Sequence, residues 1–143
     1  MKRILAALDF SEVTPEVVKQ AKLLTRKFGA ELCLVHADYL LPFLGAHQYD
    51  QQLALEAYEC HKKRNKAELQ KLKDQLAAEG ILAEIILHEG DVDDAIIEEA
   101  RKFKADLIIL GAHKHGKLYH IFFGNISENI IQKADCPVMM IPT

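Results

Sequence analysis

The sequence predicts a doubly wound α/β domain, with a five-stranded parallel sheet and helices on both of its faces. Three observations predict it. Short continuous apolar runs such as Ile4-Leu-Ala-Ala-Leu8 and Leu107-Ile-Ile-Leu110 have the pattern of strands covered on both sides. These runs alternate along the whole chain with segments whose apolar residues recur at helical spacing. The connections between them are short, which specifies parallel βαβ units in right-handed crossovers. At 143 residues the chain suits one domain over residues 1–143, with no internal repeat, linker or low-complexity block.

The first strand, Ile4 to Leu8, ends at Asp9-Phe-Ser11. Thr14 followed by Pro15 places a capping hydroxyl before a proline at the first helical position, and Val18, Ala21, Leu24 and Phe28 continue the helix until Gly29 stops it. A second strand, Glu31 to Ala37, leads into an irregular stretch from Asp38 to Gln52 that contains Pro42 and Gly45. Leu53 to Glu79 is rich in Ala, Leu, Glu, Lys and Gln and reads as a long helix with Tyr58, Asn65, Leu69, Leu72 and Leu76 near one face, ended by Gly80. Its charged face mixes both signs and reads as solvated surface.

Ile81 to His88 is the third strand, Gly90-Asp91 a turn and helix cap, and Val92, Ala95, Ile96, Ala100 and Phe103 the stripe of the next helix. Leu107 to Leu110 is the fourth strand, Ile126 to Lys133 the last helix and Val138 to Ile141 the fifth strand. Pro137 and Pro142 bracket that last strand, which suits a sheet edge.

Composition narrows the function classes. A net charge of -3 argues against a nucleic-acid platform, which needs a basic excess to neutralise phosphates. No stretch approaches the roughly 20 apolar residues of a membrane span, and the apolar run after Met1-Lys-Arg is too short for a secretion signal, so a cytoplasmic location is expected. Cys33, Cys60 and Cys136 are odd in number and lack ligand spacing, and read as buried or idle thiols in a reducing compartment.

In a doubly wound sheet the ligand crevice lies beyond the carboxyl ends of the strands, where the strand order reverses. With the order 3-2-1-4-5 that point falls between the first and fourth strands, walled by Leu8-Asp9 and by Gly111. The stretch from Gly111 to Gly124 runs from a buried strand through a glycine-containing loop to a helix start, where amides converge on an anion such as phosphate. The plainer reading is that Gly111 makes a turn and Gly124 permits an unusual backbone angle. Asp9 is a candidate acceptor for a ribose hydroxyl or an adenine amino group, and equally an Asx turn or a cap for the following helix.

Taken together, Arg3-Ile-Leu-Ala-Ala-Leu-Asp9-Phe-Ser11, Leu34-Val-His-Ala37, Glu89-Gly-Asp91, Asp106-Leu-Ile-Ile-Leu-Gly111-Ala-His and Asn129-Ile-Ile-Gln-Lys-Ala-Asp-Cys136-Pro137-Val-Met-Met-Ile-Pro142 resemble the universal stress protein family over essentially the whole chain. The resemblance implies a flavodoxin-like fold, a homodimer, and in ATP-binding members a loop of the form G-x2-G-x9-G-[ST]. Gly111 and Gly124 match its first and third glycines, Lys114 stands where the second is expected, and Asn125 replaces Ser or Thr. By the same resemblance Ala7, Asp9 and Ala37 would line the adenosine side, and Gly111, Lys114, Gly124, Asn125 and Ile126 the phosphates of ATP with Mg. A lysine at a glycine position hinders close backbone approach, at about 1 kcal/mol or more if φ is positive, although its ammonium can bond phosphate. Asn caps a helix about as well as Ser and still donates from its amide.

His113, His115 and His120 raise a metal reading, opposed by the intervening Lys114 and the lack of nearby carboxylates or thiols, so a solvated basic loop and no metal are expected. His36 and His88 read as hydrogen-bonded core histidines, and Met139 and Met140 as core and interface filling. No nucleophile elbow, paired acidic motif or full P-loop is present, so no enzyme is expected beyond weak ATP hydrolysis or self-phosphorylation. Two functions follow. One is a nucleotide-responsive module in which bound ATP orders the Gly111–Gly124 loop. The other is a nucleotide-independent stress-linked dimer that meets an unknown protein partner through Leu40-Leu-Pro-Phe-Leu44. In both, the apolar last strand Val138 to Ile141 pairs with its own copy across a two-fold axis.

Overall fold

The computed structural model describes residues 1–38, 51–112 and 124–142, with the side chains of Gly124 and Asn125 excepted. Its elements run β1 (Arg3–Ala7), α1 (Thr14–Phe28), β2 (Glu31–Asp38), α2 (Gln51–Ala78), β3 (Ala83–Glu89), α3 (Val92–Phe103), β4 (Leu107–Ala112), α4 (Gly124–Lys133) and β5 (Val138–Pro142). The strands form one sheet in the order β3-β2-β1-β4-β5, every pair parallel, as the alternation of elements predicts.

Because side chains alternate across a strand, each strand feeds two cores. Ile4, Ala6 and Leu8 of the β1 segment, Leu32 and Leu34 of β2, and Leu107 and Ile109 of β4 pack against Val17 and Ala21 of α1 and Leu69 and Leu76 of α2. Leu5, Cys33, Val35, Ile108 and Leu110 face the other way, onto Ile96, Ile97 and Ala100 of α3 and Ile130 of α4. Burial pushes the Cys33 thiol up to about 12, so it is inert packing, whereas Cys60 is exposed and Cys136 half-buried.

Helix ends differ in part from the sequence reading. Gly29 closes α1 as expected, in the left-handed region at φ 60°. Its start is different: Val13 is the capping position with no side-chain cap bond, and Thr14 is already helical and buried. The Thr14 hydroxyl is instead spent on Asp9, 3.3 Å away. Asp91 holds the capping position of α3 in extended conformation but also makes no side-chain cap bond. Asp38, assigned by sequence to the irregular stretch, is the last residue of β2, paired with Glu89 of β3 and 2% exposed. Among the described residues β5 pairs only with β4; Val138, Met139 and Met140 are half-buried and Ile141 is buried.

Candidate functional site

The carboxyl ends of β1, β2 and β4 open onto a cavity of about 160 Å³. Ala7, Leu8 and Asp9 supply its β1 wall, Val35, His36 and Ala37 its β2 wall, and Leu110 and Gly111 its β4 wall. Val92 and Ile96 of α3 and Ile126, Ser127 and Ile130 of α4 close the far side. The lining is almost wholly apolar, with Asp9, His36 and Ser127 as its polar points. Pockets that enclose a whole small molecule run to about 300–1,000 Å³. The described space is therefore smaller than one that encloses a whole small molecule.

Of the residues singled out from sequence, Ala7, Asp9, Ala37, Gly111 and Ile126 all line this one cavity. Gly124 and Asn125 open α4, which begins two residues earlier than its apolar pattern indicates and brings its first turn to the cavity rim. Lys114, His113, His115, His120 and the stretch Leu40–Leu44 lie outside the described residues. Sequence reasoning missed Val92, Ile96, Ser127 and Ile130. The first two and Ile130 are ordinary members of apolar helix stripes, and only the topology shows that the top of each stripe faces ligand space.

Asp9 holds the turn after β1. Its Oδ1 accepts from the Ser11 backbone N–H at 3.0 Å and from the Ser11 hydroxyl at 2.6 Å, besides the Thr14 hydroxyl. This is an Asx turn, so the structural reading of Asp9 holds while its carboxylate also borders the cavity. The next residue, Phe10, sits at φ 56°, a conformation that costs a non-glycine residue about 1–2 kcal/mol. Its ring lies 4.6 Å from the His36 imidazole, tilted by 34°.

Gly111 has a different reason from either that the sequence offers. It lies within β4, which extends to Ala112, it pairs with Ile141, and it is not at positive φ. A Cβ there would stand 2.2 Å from Cγ1 of Val13, a contact that cannot exist. The glycine lets the start of α1 press onto the end of β4.

On the opposite face of β2 lies a polar network. His36 Nδ1 donates to the Leu8 carbonyl at 2.7 Å, and its Nε2 faces Asp38 Oδ1 at 2.9 Å. Asn65 of α2 donates to Asp38 Oδ1 at 2.7 Å and reaches the Nε2 atoms of His36 and His61 at 3.1 and 3.0 Å. At the rim Lys62 pairs with Glu89, and that hydrogen bond holds the Glu89 carboxyl below its ordinary range. His88 is likewise hydrogen-bonded, through Nδ1 to Glu99 at 2.8 Å, so both strand-end histidines have the bonded surroundings expected of them.

Fold and cavity define a class: a flavodoxin-like α/β domain whose ligand space sits at the topological switch point. Within that class the assignment is direct. The family model "Universal stress protein family" matches residues 1–142, and the chain belongs to that family. A universal stress protein of Thermus aquaticus is 30% identical over 98% of both chains. Universal stress protein MJ0531 of Methanocaldococcus jannaschii is 29% identical over 98% of this chain and 81% of its own. Among solved structures, that of the protein MJ0577 superimposes with a TM-score of 0.81 at 23% identity, covering 99% of this chain and 96% of that one.

Proposed function

We propose that this stress-response protein is a nucleotide-responsive module which binds an adenine nucleotide, ATP with Mg among them, in the switch-point cavity. The observation that carries this reading is the convergence of Ala7, Asp9, Ala37, Gly111 and Ile126 on one apolar space bordered by the first turn of α4. An apolar slot takes a base by burial of its faces, Asp9 offers a carboxylate to hydroxyls, and the free N–H groups of a helix start favour phosphate. Two structures of the same fold support the reading: a universal stress protein in complex with cAMP, at 19% identity, and one from Archaeoglobus fulgidus in complex with dAMP, at 24%.

Titration calorimetry with Mg-ATP tests it. Micromolar binding that is lost in Gly124→Val is the expected result. Absence of heat at millimolar ATP, together with no nucleotide released on denaturing the purified protein, sinks it. The cytoplasmic protein acts as a homodimer joined through β5, whose Val138-Met-Met-Ile141 edge carries no charge to deter pairing. Sedimentation at micromolar concentration gives a dimer on this reading, and a monomer refutes it.

A further inference from the structure

Behind the cavity, the hydrogen count of one buried cluster does not close. A carbonyl oxygen can only accept, so the 2.7 Å contact of His36 Nδ1 with the Leu8 carbonyl places a proton on Nδ1. In a neutral ring Nε2 is then a bare acceptor. It nevertheless stands 2.9 Å from Asp38 Oδ1, which is also an acceptor when the carboxyl is ionised. The Asn65 amide nitrogen lies 2.7 Å from Asp38 Oδ1 and 3.1 Å from His36 Nε2, and donates toward both atoms without placing a hydrogen between them. His61 Nε2 lies 3.0 Å from the same amide and 3.4 Å from Asp38 Oδ1, and neither tautomer of His61 fills the His36–Asp38 contact. Asp38 is 2% exposed, and its other oxygen, Oδ2, meets no donor among the described residues. A buried carboxylate is ordinarily matched by a cation or by several donors, yet the Lys62 ammonium is engaged by Glu89.

We propose that a second imidazole proton is held between His36 Nε2 and Asp38 Oδ1, and that this buried imidazolium–carboxylate pair is a pH-sensitive latch on the β2 wall of the cavity. With the proton in place Nε2–H donates to Oδ1, and the two Asn65 hydrogens serve Asp38 and His61, so every contact joins a donor to an acceptor. The proton also supplies the positive charge that the buried carboxylate needs. Without it, two lone pairs face each other at 2.9 Å in a site of low dielectric, and the contact must open. The end of β2 then loosens from α2, and the cavity wall moves with it, because His36 and Ala37 line that wall and the His36 ring carries Phe10. The other charged or titratable groups around His36 are engaged or neutral. Asp9 after β1 accepts from Ser11 and Thr14, Lys62 of α2 pairs with Glu89 of β3, and His88 of β3 is bonded to Glu99 of α3. The Tyr58 phenol of α2, pushed up by burial, stays uncharged.

Nitrogen NMR of the whole chain reads these protons directly. Near neutral pH both ring nitrogens of His36 should give protonated signals. As the pH is raised one proton should leave Nε2, and the Ala37 methyl and Asn65 side-chain signals should shift with it at the same midpoint. Asp38→Asn keeps the shape of the side chain and removes its charge, so near neutral pH His36 should then carry the Nδ1 proton alone, and the coupled shift should vanish. His61→Ala, at a partly exposed site, should leave His36 doubly protonated. A singly protonated His36 in the parent near neutral pH overturns the proposal. So does a second proton that survives Asp38→Asn or is lost in His61→Ala. A His36 titration that leaves Ala37 and Asn65 unmoved overturns the latch. The parent and His61→Ala spectra decide the matter even where Asp38→Asn does not fold.

Discussion

The carboxyl end of β2 presents two contrasting faces within four residues. Val35 and Ala37 point toward α3 and α4, where they wall an apolar cavity, while His36 and Asp38 point toward α2 and enter a dense polar network. The period of two along a strand is what separates them. One face is apolar, so that a ligand can gain by burial there. The other is filled with hydrogen bonds that tie the strand end to α2. His36 joins the two: its ring borders the cavity and carries Phe10, while its nitrogens tie Leu8 to Asp38 and Asn65.

Removing the anchor of the polar face should have the largest effect. Asp38→Ala leaves His36 and Asn65 without the acceptor they share, and a buried polar group left unpaired costs about 1–3 kcal/mol for each partner. Urea unfolding should show that loss as a lowered midpoint, and an unchanged midpoint would mean that the network is ornamental. The apolar face breaks in the opposite sense. Ala37→Leu grows into open cavity, so stability should stay within about 1 kcal/mol of the parent, while Mg-ATP affinity falls by about 100-fold or more, near 2.7 kcal/mol.

Gly111→Ala sharpens the contrast, because Gly111 lines the cavity yet owes its smallness to Val13 behind it. Overpacking of this kind costs about 1–3 kcal/mol, and Val13→Ala in the same chain should restore much of it in thermal unfolding. If the double variant is no more stable than the single one, the contact is not the reason for the glycine.

The smallest effect lies at the rim. The Glu89 carboxyl is held below its ordinary value of 4.5, chiefly by its hydrogen bond from Lys62. A lowered folded-state value means that this stabilisation is complete above pH 4.5 and is lost as pH falls through the folded value. Glu89→Gln should therefore lower stability slightly at pH 7 and flatten its decline below pH 4.5. Parallel curves for the two proteins in acid would remove Glu89 from the network.

Strand runs, helix stripes and strand order were legible in the sequence because periodicity and βαβ handedness leave few alternatives. Leu8, Asp9 and Gly111 were legible at the cavity too, since a switch point makes the ends of named strands converge, whereas Ala7, Ala37 and Ile126 came from the family resemblance. The polar network was not. Asn65 occupies a position in the apolar stripe of α2, and Asp38 reads as the start of a loop. Nothing local shows that a strand end and a helix 27 residues later share a buried hydrogen bond. Gly111 was read through its freedom of φ, whereas its reason is a neighbour nearly 100 residues away in the chain. Thr14 looked like a cap because the preceding Asp9, which takes its hydroxyl, is a tertiary partner as well as a local one.

The Gly111–Val13 contact also decides which wall of the cavity can give way. With the start of α1 seated on β4 where no Cβ intervenes, sliding α1 along the sheet would drive Val13 into the backbone of its neighbours. Among the described residues the opposite wall has no such key. α3 and α4 are fastened to each other instead, through Asn129 to Asp93 and Lys133 to Asp94, each at 2.8 Å. The cavity thus lies between one wall keyed to the sheet by a missing Cβ and another made of two helices tied to each other.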